Sequence, residues 1–71
     1  MIRPTHQEML KALAELCSLS PDVRFGQLLA NLSMLAEDQV ERSIWEIEDE
    51  QLLAIIEQHR RDLAKRHSNV A

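Results

Sequence analysis

The chain has one glycine, one cysteine, two prolines and two aromatic residues, Phe25 and Trp45, with no tyrosine. Each scarcity excludes something. Phosphate-cradling loops place several glycines ahead of a helix, and the P-loop adds a lysine after the last one. Gly26 stands alone and is followed by Gln27, so a nucleotide loop is excluded. Cys17 has no partner for an internal disulfide, and no charged-then-apolar leader opens the chain, which points to a reducing cytoplasm. No apolar run approaches the roughly 18 residues of a membrane-spanning helix, so no membrane association is expected.

Metal and catalytic patterns are equally thin. Zinc sites need clustered Cys and His, or an HExxH pair on one helix face; His6, His59 and His67 are scattered. The acid-dense "EIEDEQ" from Glu46 lacks the glycine and alternating ligands of a calcium loop. Cys17, on the apolar side of its helix, reads as an inert small hydrophobe. His59, between Ile55 and Leu63, reads as a core-edge histidine. No catalytic, cofactor-binding or metal-binding residue is assigned, and a non-enzyme is expected.

What is present is helical. Seventy-one residues, 45% apolar and 28% charged, describe one small domain whose thin stability margin gains from a partner. "THQE" offers Thr5 as N-cap and Glu8 as its capping-box partner, with Pro4 outside. Met9, Leu10, Leu13, Leu16 and Cys17 then recur at helical spacing, giving a helix over 6–18. "SPD" starts a second over 21–36, with Ser20 as cap and Pro21 in the first helical position. Its core stripe is Phe25, Leu28, Leu29, Leu32, Leu35 and Ala36. Residues 37–48 read as a linker with room for one extra helical turn. A third helix over 49–66 follows, capped by Glu48 or Asp49; with Glu48 as cap, Ile47 and Leu52 fall at the two positions of a hydrophobic staple. Leu52, Leu53, Ile56 and Leu63 supply its stripe, and Glu57 with Arg61 and Asp62 with Arg66 its i, i+4 pairs. The expected fold is all-α, a small three-helix bundle in a single domain over 1–66, with a flexible tail over 67–71.

Charge is uneven. The net charge is −4, yet 37–50 holds seven acids against Arg42, while Arg60, Arg61, Lys65 and Arg66 crowd the end of the chain. Those bases suit the negative end of a helix and spread around its wheel, so nucleic-acid binding is disfavoured; it stays as the alternative, an antitoxin-like or phage-like regulator.

Three groups are candidates for binding a protein partner, or a second copy of the chain. Gly26, Ala30 and Ser33 form a small-residue strip suited to close approach of another helix, most simply one of the same chain. Arg24, Gln27 and Asn31 form a polar edge that can bond a helix end or a partner's carboxylate. Ile44, Trp45 and Ile47, in "SIWEI", either cover the open end of the core or anchor a partner.

"PDVRFGQLLANL" followed by "IWEIEDEQLL" resembles a pattern in small uncharacterised bacterial and phage helical proteins. The matching residues are Pro21, Asp22, Arg24, Gly26, Gln27, Leu28, Leu29 and Asn31, then Ile47, Glu48, Asp49, Glu50, Leu52 and Leu53. They span about half the chain. In that pattern the spacer is shorter and richer in aromatics. The resemblance implies a compact helical unit and carries no known activity.

Overall fold

A computed structural model describes residues 1–68 of the chain. Three α-helices make up the fold: α1 (Pro4–Leu19), α2 (Phe25–Val40) and α3 (Asp49–Ser68). His6 meets Asp49, and Glu15 meets Arg60, so α1 and α3 advance in the same direction, and α2, which joins them in the chain, runs back against α3. The expected three-helix bundle is the observed fold. α3 carries on through His67 and Ser68, which were expected in the tail; residues 69–71, the rest of the expected tail, lie outside the described part.

Both helix starts differ from the sequence expectation, and proline explains each. At α1 the N-cap is Arg3, with no side-chain cap bond, and Pro4 is the first helical residue. The fixed φ of proline suits that position, so Thr5 falls inside the helix and the Thr5–Glu8 box does not form. At Pro21 the same fixed φ serves a turn instead: the Val23 N–H donates to the Ser20 carbonyl at 3.1 Å. Four residues are spent in that turn, and α2 starts at Phe25 with Arg24 as N-cap. At the other end α2 runs four residues past the expected stop. Glu41 ends it in the left-handed region (φ 58°), donating its N–H to the Glu37 carbonyl at 3.0 Å.

The core is one layer deep. Ala12, Leu16, Leu28, Leu32 and Ile56 form its main cluster, with Met9, Leu13, Leu35, Leu52 and Leu63 packed against it. Ala36, Ile47 and Ile55 form a second cluster under the linker, flanked by Leu35, Val40 and Leu52. α3 is the central helix: α1 lies along it extensively, α2 over a shorter stretch, and α1 and α2 meet least. The bundle is therefore open and flat, 39 × 30 × 19 Å. Its radius of gyration is 12.4 Å, against about 11 Å for a compact chain of this length. It exposes 5422 Å², where a globular monomer of 8.2 kDa exposes about 4,500 Å².

That openness overturns several core assignments. Phe25 and Leu29 share the α2 arc of buried Leu28 and Leu32, yet both are exposed, as is Leu10 on α1. Cys17 is exposed too: α1 presents Ala12 and Leu16 to the core, which turns Cys17 outward.

The expected ion pairs along α3 are replaced by a different set. Arg60 donates to Glu57 at 3.1 Å and reaches Glu15 across the helix interface at 3.3 Å. Arg61 donates to Gln58, and Gln58 to Asp62. Glu57 prefers Arg60 because that guanidinium is already held over it by Glu15, leaving Arg61 to a neutral partner.

Candidate functional site

The 41–48 linker is built to hold one side chain out. The Ser43 carbonyl accepts the Glu46 N–H at 3.0 Å and the Ile47 N–H at 3.2 Å, closing a turn. The Ser43 hydroxyl donates to Glu46 Oε1 at 2.6 Å, bracing the same turn from its side chain. Ile47 is pinned into the second cluster at 8% exposure. Glu48 then caps α3, its carbonyl accepting the Leu52 N–H at 3.0 Å. The expected staple is realised, since Ile47 and Leu52 belong to one cluster.

Within this frame the "SIWEI" residues part company. Ile47 covers the open end of the core, Ile44 is half-buried, and Trp45 points outward at 88% exposure. Covering the core is thus overturned for Trp45 and met by its neighbour. Exposed carboxylates at Glu41, Glu46 and Glu48 surround the indole in sequence. The exposed indole therefore rides on a turn already ordered by the Ser43–Glu46 contacts and by buried Ile47.

The other two candidate groups fare differently. A Cβ built on Gly26 meets nothing within 4 Å, and Gly26 and Ala30 are exposed. Among the described residues nothing approaches Gly26, so the intramolecular close approach is overturned there, while Ser33 at the far end of the strip is half-buried. With α2 starting at Phe25, Gly26 sits in the first turn, where its own N–H has no intrahelical acceptor anyway. Gln27 donates to Asn31 at 2.9 Å along the helix surface, so the two amides bond each other and not a helix end. Arg24 is exposed beside them and contributes its backbone carbonyl, which accepts the Leu28 N–H.

Three depressions stand out on the surface of the described residues. A polar cleft of about 300 Å³ between α1 and α3 is lined by Glu8, Lys11, Glu15, Glu57 and Arg60; Arg60 is already committed there to two carboxylates. A second, of about 240 Å³, lies between α2 and α3 and is lined by Asn31, Met34, Leu35, Asp38 and His59. Partial burial lowers the His59 pKa below its ordinary value, with Asp62 opposing and Arg66 adding to the shift. The third, of about 380 Å³, is an apolar groove along α1 formed by Ile2, His6, Met9, Leu10 and Leu13. It escapes a sequence reading that assigns Leu10 and Leu13 to the core. Its one signal in the sequence is that the apolar arc of α1 is wider than one neighbouring helix can cover.

Among the described residues no group of three or more His, Cys, Asp or Glu could hold a metal ion. No helix there is long and apolar enough to cross a membrane. No protein-family model matches the chain, and no similar curated protein or solved structure is found.

Proposed function

We propose that this protein is a non-catalytic helical accessory module that binds another protein chain, with Trp45 as its anchor. The observation that carries the reading is the 88% exposure of Trp45 on a turn held by Ser43, Glu46 and buried Ile47. Burying an indole removes about 150–250 Å² from water, a transfer term of about 4–6 kcal/mol. After ordering and desolvation costs, an anchor of this type retains about 2–4 kcal/mol. The acids at Glu41, Glu46 and Glu48 would select a partner surface carrying basic groups around an apolar pocket.

The nucleic-acid alternative draws less support. Arg60 is held by Glu15 and Glu57, which leaves Arg61, Lys65 and Arg66 as the exposed bases of α3.

The test is capture from the native host's lysate with tagged wild-type protein and Trp45→Ala in parallel, followed by affinity measurement on any protein captured. The reading expects one partner whose affinity drops about 30- to 1000-fold on Trp45→Ala. Equal capture by both proteins, or recovery of nucleic acid alone, would reject it.

A further inference from the structure

We propose that the chain bound at Trp45 is a second copy of this one: the acidic end that carries Trp45 docks on the basic end of the copy, and the copy's acidic end docks in return. The inference rests on the Trp45 reading, whose partner it names.

The uneven charges of the sequence could neutralise each other within one chain, and the fold forbids it. The contacts of His6 with Asp49 and of Glu15 with Arg60 set α1 alongside α3. The 41–48 linker therefore lies at one end of the bundle, and the 20–24 turn at the other, level with the last turns of α3. Asp49 and Arg66 bound a helical stretch of about 25 Å at the rise of an α-helix, well beyond the ~10 Å over which exposed charges interact in about 0.1 M salt. At the first end Glu41, Glu46, Glu48 and Glu50 are exposed, against Arg3 and Arg42. At the second Arg24, Arg61, Lys65 and Arg66 are exposed, against Asp22 and Asp62. Among the described residues none of these side chains is in an ion pair. Each end keeps an excess of one sign that only another molecule can meet.

A second copy meets both. The basic end also carries apolar surface: Val23 and Phe25, on either side of Arg24, are 40% and 54% exposed. It therefore supplies what the Trp45 turn selects, apolar contact among basic groups. An antiparallel pair about a two-fold axis makes the contact twice, acidic end to basic end each time, and closes with no charged end left over. A foreign basic protein would answer one end only.

Sedimentation equilibrium on the full chain, from about 1 to about 500 µM, with the emission of Trp45 read in parallel, tests the proposal. At the dilute limit the chain should be single and its indole wet. In about 50 mM salt the mass should rise from 8.2 kDa toward twice that value as the emission shifts to the blue, and about 0.5 M salt should weaken pairing at least about 10-fold. Glu41→Lys with Glu48→Lys makes a chain basic at both ends, and Arg61→Glu with Lys65→Glu one acidic at both. Each alone should pair at least about 100-fold more weakly than wild type. Mixed in equal amounts they should pair as wild type does, because every contact again joins opposite signs, and that recovery also shows that both variants fold. A wild type that stays at 8.2 kDa throughout overturns the proposal and leaves the Trp45 reading to the lysate capture. Pairing that ignores salt overturns it too, as do two variants of wild-type helicity by circular dichroism that fail to recover on mixing. Pairing that passes the charge tests yet is unchanged in Trp45→Ala upholds the charged ends and rejects Trp45 as their anchor.

Discussion

Trp45 and Ile47 stand two residues apart in one linker, yet their surroundings assign them opposite duties, so truncating each to alanine should give opposite results. Ile47 is 8% exposed and packs with Ala36 and Ile55, flanked by Leu35, Val40 and Leu52. Removing its three outer carbons loses their transfer energy and leaves a cavity that the braced turn above cannot collapse into. Buried Ile→Ala changes cost about 2–5 kcal/mol; at the rim of a small cluster the lower half applies, about 2–3 kcal/mol. A domain of this length has about 4–11 kcal/mol in all, so Ile47→Ala should lower Tm by about 10–20 °C. Trp45 buries almost nothing, and Trp45→Ala should leave stability within about 0.5 kcal/mol. Thermal melts followed at the helical circular-dichroism band compare the two. Trp45 is also the sole tryptophan, so its fluorescence should already be that of a water-exposed indole in the folded chain, and freely quenched by neutral acrylamide, which the surrounding carboxylates do not repel. A Tm loss in Trp45→Ala comparable to that in Ile47→Ala, or a shielded indole, would refute the division of labour.

Two further outcomes are expected. Gly26→Ala should raise stability by about 0.4–1 kcal/mol, because a Cβ there meets nothing within 4 Å, its φ is not positive, and alanine restricts the unfolded chain; a lower Tm would show a hidden neighbour. His59 is held below its ordinary pKa by burial first, with Asp62 pulling up and Arg66 pushing down, while Asp38 of α2 lines the same depression. The folded chain therefore binds fewer protons at this position than the unfolded chain, so stability is full above pH about 6.5 and falls as pH drops through the lowered folded value. Replacing His59 by Gln should flatten the Tm–pH slope between about pH 7 and 5, and an unaltered slope would assign the titration elsewhere.

Periodicity alone located all three helices, because Leu16, Leu28, Leu32, Ala36 and Ile56 recur at a spacing that only a helix can bring to one side. It also placed Ile47 against Leu52, since a staple is set by local geometry across one helix turn. The helix starts were ambiguous for a local reason. Pro4 and Pro21 both satisfy the first helical position, and Pro21 equally fits the second position of a turn; the choice depends on where α2 must enter the bundle. Exposure was legible only in part: Leu16, Leu28, Leu32, Ala36 and Ile56 are buried as their stripes predict. Leu10, Cys17, Phe25 and Leu29 share the arcs of buried residues, and whether such an arc is covered depends on the distance between α1 and α2, which no helix carries in its own sequence. The same holds for Trp45 and Ile47, two apolar residues in one acidic run. The sequence by itself determined helix count, net charge and the acidic linker, because these follow from residue type and spacing within a few turns. Only the tertiary structure decided which apolar side chains stay wet, because that is settled by how three cylinders meet around α3.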